Sequence, residues 1–380
     1  MMWHIFMLPG RGCWVAERIA LYDLAHVQIE DLLTDWGEPR FRADQLWRWL
    51  YVSLVDDVAA MGNLPLQLRD RLAAETDLKL LTPVADQESL TGQTRKVLFR
   101  LHDGNVIESV LMEYEDRRTA CISTQVGCAI GCPFCATGQG GLARNLSPGE
   151  IVAQVLYFAR QIRQSEIEWA NTLGIDADLE GHAVTNVVLM GMGEPLANYE
   201  ATWQAIETLN DPDGFNLGAR RITLSTVGLV PGIQRLADEG LPINLAVSLH
   251  APDDELRDRL VPVNRRYPLG ELMAAVREYA EKTNRRVTFE YALISGMNDA
   301  VQNAQQLAAL LYGLPCHVNL IPLNPTPGTD LQPSPREQVS AFQSVLVGAG
   351  IATTVRLRRG ISIEAGCGQL RQRQIDIATE

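Results

Sequence analysis

Twelve residues, GCAIGCPFCATG at 127–138, hold three of the chain's seven cysteines. Cys128, Cys132 and Cys135 are spaced C-x3-C-x2-C among Gly127, Gly131, Pro133 and Gly138. Glycine and proline at those positions oppose a regular helix, so the segment is expected to be a loop. A loop lets three sulfurs gather around one centre. Iron–sulfur clusters are held by cysteine thiolates, four of them in a closed 4Fe–4S site. Three would leave one iron open to another ligand. Structural zinc takes four protein ligands, and no further Cys or His follows at a conventional spacing. A redox pair of Cys132 and Cys135 would leave Cys128 without a role. The spacing therefore favours a cluster, with zinc or a redox pair as the alternatives. The remaining cysteines, Cys13, Cys121, Cys316 and Cys367, stand apart. Taken singly, Cys121 reads as a buried inert thiol, Cys367 as a spare thiol and Glu108 as an ordinary strand residue.

Secondary structure must position such a loop. From residue 146 onward, strand-like and helical runs alternate. The strand-like runs are NVVLMG (186–191), RITLST (221–226), INLAVSLH (243–250), RVTFEYAL (286–293), HVNLIPL (317–323) and TTVRLR (353–358). Amphipathic runs such as SPGEIVAQVLYFARQI and LGELMAAVREYAEKT lie between them. That alternation predicts a parallel sheet with helices packed outside it. GMGEP at 191–195 lacks the third glycine of a dinucleotide fingerprint, which favours a full or partial β/α barrel over an open sheet. TACISTQ is strand-like and runs directly into the cysteine loop, and barrels carry their sites on loops that follow strands. Upstream, IEDLLTDWG, RADQLWRWLY and LPLQLRDRLAAET read as helices, and KVLFRLHDGNVIESVLMEY as a hairpin. The expected α/β organisation has five parts. Residues 1–20 are a poorly ordered extension, 21–90 a small helical accessory domain and 91–113 a connecting β-hairpin. Residues 114–360 are a partial (β/α)6 TIM-like barrel, and 361–380 a C-terminal segment carrying Cys367. The acidic stretch 165–181 is expected to be a solvated loop.

With 380 residues, 46% of them hydrophobic, the chain can bury a large core or two domains. No run approaches the roughly 18 apolar residues of a membrane span, and the start does not read as a signal peptide. An odd number of cysteines without secretory features argues against a disulfide scaffold. The net charge of −13 argues against general affinity for nucleic acid, though not against a local basic patch.

The cysteine spacing, with Phe134 just before the last thiol, resembles the signature of the radical S-adenosylmethionine (SAM) superfamily. CISTQVGCAIGCPFCATGQGGLARNL, GMGEPLANY, RRITLSTVG, NLAVSLHAP, HVNLIPLNP and EAGCGQL occur in that order. Together they resemble the RlmN group of dual-specificity RNA methyltransferases, over about residues 23 to 372. The resemblance implies a radical SAM barrel with one 4Fe–4S cluster on Cys128, Cys132 and Cys135, whose open iron is chelated by SAM. It implies methylation of carbon 2 of an adenine in 23S rRNA and in tRNAs. Carbon 2 is neither acidic nor nucleophilic, so direct transfer of a methyl cation does not serve. By resemblance Cys367 carries a methyl group from a first SAM, a second SAM supplies the radical that activates it, and Cys121 resolves the protein–RNA adduct through a transient disulfide. Glu108 matches the proton acceptor. Gly193, Glu194, Ser225, Ser248, Leu249, His250 and Asn324 match SAM contacts. The family further implies an electron donor such as flavodoxin or ferredoxin, a cytoplasmic location, a monomer and no membrane partner. The family pattern has an acidic residue near 362 and alanine at 366, where this chain has Ser362 and Gly366. The alternatives are a sister group methylating carbon 8 of adenine, which tends to replace the prolines of GMGEP and LNP, and a non-catalytic RNA-binding protein with a metal.

Arginine recurs in pairs: Arg117 and Arg118, Arg220 and Arg221, Arg265 and Arg266, Arg285 and Arg286, then Arg356, Arg358, Arg359, Arg371 and Arg373. Arginine forks suit phosphates, and a basic rim around the barrel mouth is the expectation. EPRFRADQLWRWLY mixes arginine with aromatics. It reads equally as an RNA grip or as a helix with Trp47 and Leu50 in the core and Arg40, Arg42 and Arg48 on a solvated face.

Overall fold

The computed structural model describes residues 18–173, 176, 183–326, 328–356, 360 and 363–370. Most of the expected N-terminal extension, Cys13, Ser362 and Arg358, Arg359, Arg371 and Arg373 lie outside the described residues. A two-residue strand β1 (Ile19–Ala20) opens the N-terminal region, followed by α1 (His26–Asp35), α2 (Phe41–Tyr51) and α3 (Leu66–Glu75). Ala43, Leu46, Trp47 and Leu50 recur at the spacing of one helix face and are buried, with Ile29 and Leu33 of α1 in the same core. The short strand β2 (Thr76–Asp77) closes the unit by pairing in parallel with β1.

The chain then enters one ten-stranded sheet. β3 (Leu81–Glu88), β4 (Thr94–Leu101) and β5 (Val106–Glu113) form an antiparallel meander, and β5 pairs with β6 (Arg118–Cys121). Residues 81–88, placed with the helical unit by the sequence, are thus a strand. Pro83 is a local helix breaker, and the antiparallel pairing with β4 completes the strand. A ribbon of β7 (Gln125–Gly127) and β8 (Leu142–Asn145) brackets the cysteine loop and the single turn α4 (Ala136–Gln139).

The helix α5 (Pro148–Leu173) follows. It corrects the loop expected from residue 165. Its acidic residues lie on a helical surface, Ala170 is buried, and no helix breaker occurs before Gly174. The remaining units are β9 (Asn186–Leu189), α6 (Tyr199–Asn210), β10 (Ile222–Thr226), α7 (Val230–Leu236), β11 (Asn244–Ser248), α8 (Asp254–Leu260), α9 (Leu269–Thr283), β12 (Val287–Leu293), α10 (Val301–Leu310), β13 (Cys316–Pro322), α11 (Arg336–Gly348) and β14 (Ala352–Val355). The order β14-β13-β12-β11-β10-β9-β6 is parallel throughout, giving six βα units and a short seventh strand. The sheet ends in β14 on one side and β3 on the other, so it is a partial barrel.

Alternation along the strands divides two environments. Val187, Leu189, Ile222, Leu224, Leu245, Val247, Val287, Phe289, Val318 and Leu320 are buried in the main apolar core. The opposite set is largely polar and lines enclosed space: Thr223, Ser225, Ser248, Thr288, Glu290 and Asn319. A closed barrel fills its interior with branched apolar side chains; here the inward positions are largely polar.

Candidate active site

The β7–β8 ribbon holds the cysteine loop by its legs. Gln125 pairs with Asn145 and Val126 with Arg144, and the Cys128 amide donates to the Gly141 carbonyl at 2.7 Å. Cys128 and Cys132 are buried, and Cys135 is half-buried at the start of α4. All three line one cleft at the C-terminal ends of the parallel strands. Ile130, Phe134, Ala251 and Leu323 pack around Cys132 and dry this side of the cleft. Burial pushes the Cys128 thiol up to about 12 and Cys132 further up, with the charges of neighbouring sulfurs adding to the effect. Such thiols ionise when a cationic centre joins them. Among the described residues no three His, Cys, Asp or Glu side chains converge tightly enough to hold a single ion. A mononuclear zinc cage therefore does not fit. A cluster spreads its thiolates over separate irons and needs no common point, so three buried cysteines around a shared cleft fit it.

Of the residues expected to contact SAM, Gly193, Glu194, Ser225, Ser248, His250 and Asn324 line the same cleft. Gly193 adopts φ +106°, and a Cβ there would lie 2.6 Å from Cβ of Gln125. Glu194 is buried; its carboxylate accepts from the Val227 amide at 2.8 Å and the Leu196 amide at 3.0 Å. Burial nevertheless raises it to about 7, against the opposing pull of those hydrogen bonds. His250 has a left-handed backbone, and its Nδ1 accepts from the Ala292 amide at 3.0 Å. Burial and the Arg257 charge lower it to about 3, so the ring is neutral. Leu249 departs from the set: its side chain lies in the apolar core, and its amide donates to the Glu290 carbonyl. Asn324 is buried, and its Nδ2 donates to the Cys367 carbonyl at 3.1 Å, leaving Oδ1 without a partner.

Cys121 and Cys367 are separated by 246 positions in sequence, yet both line a second cavity that adjoins the cleft. Met190, Asn324, Arg356 and Cys367 border both spaces. Burial raises Cys121 to about 12, the Cys367 charge adds to this, and Arg356 opposes it. Both thiols are free. The Cys367 loop is bolted to the cluster side. Gly368 O accepts from the Ala136 amide at 2.8 Å, Leu370 O from Thr137 Oγ1 at 2.5 Å, and Pro325 O from Gln369 Nε2 at 2.8 Å. Glycine at 366 suits this docking, since a Cβ would approach Asn324 Nδ2 to 2.6 Å.

Glu108 does not line either cavity. It is buried on β5, two residues before Val110, which does border the second one, and it pairs with buried Lys96 at 3.5 Å. Lys96 Nζ also donates to the Glu364 carbonyl on the approach to Cys367. Lys96 and two further buried groups carry no local signal in the sequence. Glu290 is an inward carboxylate on β12. Arg257 donates to Leu249 O, Asn264 Oδ1 and Val227 O and ties the loops after β10 and β11 together.

The expected basic rim is corrected. Arg118, Arg221 and Arg286 sit at or just before the first residues of β6, β10 and β12, the end opposite the cleft. Arg118 pairs with Glu166 at 2.7 Å, and Arg285 donates to Asn244 at 2.5 Å. Arg265 and Arg266, on the connection after β11, are exposed on the cleft side. Arg356 is inside, not on the rim. In α2, Trp47 and Leu50 are core, and Arg40 is exposed and paired with Glu30.

A six-unit partial barrel with three cysteines on the loop after its first parallel strand, facing a polar interior, defines a radical SAM enzyme. Residues 176–308 match the Radical SAM superfamily, and residues 19–78 match the ribosomal RNA large subunit methyltransferase N-terminal domain. The chain is 51% identical to the dual-specificity RNA methyltransferase RlmN 1 of Myxococcus xanthus, over 92% of this chain and 94% of that protein. It is 54% identical to a protein of Roseiflexus castenholzii named "Probable dual-specificity RNA methyltransferase RlmN", over 92% of this chain and 95% of that one. A crystal structure of a radical SAM methyltransferase from Sphaerobacter thermophilus superposes with a TM-score of 0.86 at 53% identity, covering 93% of this chain and 99% of that one. The chain belongs to the RlmN family of radical SAM, SAM-dependent RNA methyltransferases. The family uses SAM and a 4Fe–4S cluster. Among the described residues no helix is long and apolar enough to cross a membrane.

Proposed function

We propose that the protein methylates carbon 2 of an adenine in 23S rRNA and in tRNAs, through an S-methyl group carried on Cys367. The observation that supports this most is the meeting of Cys121 and Cys367 in a cavity adjoining the three-cysteine cleft. Cys128, Cys132 and Cys135 would hold the cluster, and Glu194, His250, Ser225, Ser248 and Asn324 would seat SAM, the Glu194 carboxylate taking its ammonium group. When bound, the cluster and SAM supply transferable methyl groups and a hydrogen-abstracting carbon radical. The chain's own work is to hold the methyl carbon of Cys367 against the base and to keep Cys121 placed to release the product by a Cys121–Cys367 disulfide. Glu108, on the same strand face as Val110, is the proton acceptor in this reading. In this reading the enzyme works in the cytoplasm, as a monomer, with a small flavodoxin- or ferredoxin-type protein as electron donor.

The test is mass spectrometry of protein purified anaerobically from SAM-replete cells. The Cys367 peptide should carry one added methyl group, absent from C367A. Nucleoside digestion of treated RNA should then give 2-methyladenosine. An unmodified Cys367 in cluster-loaded, SAM-exposed protein would end the carrier reading, and 8-methyladenosine would move the assignment to the sister reaction.

A further inference from the structure

Nothing above says how an adenine is told from other bases. Arg356 follows β14, and its amide donates to the Leu320 carbonyl at 2.8 Å, which pins its backbone to the sheet. Its side chain lines the cluster cleft with Cys367, the second cavity with Cys121, and a lower polar cavity with Glu290. Among the described residues its guanidinium donates no hydrogen bond and has no carboxylate within ion-pair distance. Arg257, a buried arginine of this region, has its nitrogens bonded to three separate acceptors. A guanidinium carries five N–H donors, and those of the half-buried Arg356 face the cavities it lines instead of protein acceptors. Donors left open toward a cavity are available to a ligand.

The ligand's chemistry follows from the neighbours. Glu290 is buried, its Oε2 accepting from Asn319 Nδ2 at 2.9 Å, and it borders the same cleft. The cleft thus presents a donor and an acceptor together beside Cys367. The Watson–Crick edge of adenine offers the complement: N1 accepts, the 6-amino group donates, and carbon 2 is the atom next to N1. Guanine and hypoxanthine reverse both roles.

We propose that Arg356 and Glu290 read the target adenine, Arg356 donating to N1 and Glu290 accepting from the 6-amino group, which sets carbon 2 against Cys367 and Cys121. This rests on the carrier reading above. It gives Arg356 a chemical part as well. In adduct formation the methylene carbon on Cys367 bonds to carbon 2, a ring π bond opens, and the unpaired electron moves into the ring. A carbon radical beside sulfur is nucleophilic, and an N–H donor on N1 makes the ring a better acceptor, as donors aimed at developing charge do elsewhere.

The test separates loading of Cys367 from use of the base. R356M, R356K and E290Q are made with and without C121A, which traps the protein–RNA adduct. Each is given target RNA with adenosine or 1-deazaadenosine, which lacks the N1 acceptor. In wild type, replacing N1 with carbon is expected to slow adduct formation at least tenfold. R356M should lose at least as much on adenosine, recover in part as R356K, and lose little further on 1-deazaadenosine. Cys367 should still carry its methyl group in every variant. E290Q should lose discrimination at the 6-position, tested with purine riboside, which lacks the amino group. Losses from R356M and 1-deazaadenosine that simply multiply would overturn the proposal, as would an unmethylated Cys367 in R356M beside a methylated one in wild type, since Arg356 would then serve the thiol. If wild-type Cys367 is itself unmethylated, the carrier reading fails and base reading falls with it.

Discussion

Two side chains in the cleft titrate far from their ordinary range, and both shifts have consequences. Glu194 is raised from 4.5 to about 7 by burial. The folded state therefore binds a proton between those values that the unfolded state does not. Its contribution is full below 4.5 and lost as pH rises through 7. An ammonium bound beside it reverses the penalty. SAM should thus raise the melting temperature more at pH 8 than at pH 5.5, and affinity measured by calorimetry should weaken as pH falls below 7. E194Q should bind weakly at every pH, with a flat profile. His250 is shifted the other way, to about 3. Between pH 6.5 and 3 the unfolded state takes up a proton that the folded state refuses, so stability falls as pH drops through that window. H250N tolerates the left-handed backbone and does not titrate. Urea unfolding of H250N from pH 7 to 4 should show a shallower acid loss than wild type.

At the scale of elements, the site depends on how separate segments are clamped together. Lys96 on β4 faces Glu108 on β5, and its ammonium also reaches the Glu364 carbonyl in the segment that leads to Cys367. Both charged groups are almost fully buried, with side chains 3% and 1% exposed. K96M removes the ammonium that serves both Glu108 and the Glu364 carbonyl, and it should lower stability in denaturant titrations. The Cys367 loop adds a second clamp: the Ala136 amide and Thr137 hydroxyl, directly after Cys135, donate to the carbonyls of Gly368 and Leu370. Cys367 is thereby tied to the three-cysteine loop.

Over the whole molecule, charge and opening are arranged around one end. The chain carries −13 overall, and arginines at 118, 221 and 286 lie at the strand starts, away from the cleft. Arg265 and Arg266 are exposed on the connection after β11, on the cleft side. Phosphate contacts release counterions and steepen the salt dependence of binding. R265A/R266A should therefore weaken RNA affinity and flatten its dependence on salt concentration, whereas R286A should change neither beyond twofold in filter-binding assays. The partial closure of the barrel suits a polymer substrate, because a target base can enter a polar interior that a closed, packed barrel would not have.

The sequence by itself determined the alternation of strands and helices, since period and punctuation are local properties. Cys128, Cys132 and Cys135 were legible for the same reason: eight consecutive residues of loop bring them together whatever surrounds them. Gly193, Glu194 and His250 follow strands, Ser225 and Ser248 lie at strand ends, and a parallel sheet puts all such ends on one side. Tertiary structure alone decided the rest. It set Cys121 and Cys367 around one cavity, paired Lys96 with Glu108, turned Leu249 into the core and drew Arg356 inward, out of a run that reads as a phosphate-binding surface. It also moved 81–88 into the sheet and continued α5 to Leu173. Each of these depends on a partner far away in the chain, and a side chain's environment is set by what packs against it, which local pattern does not encode.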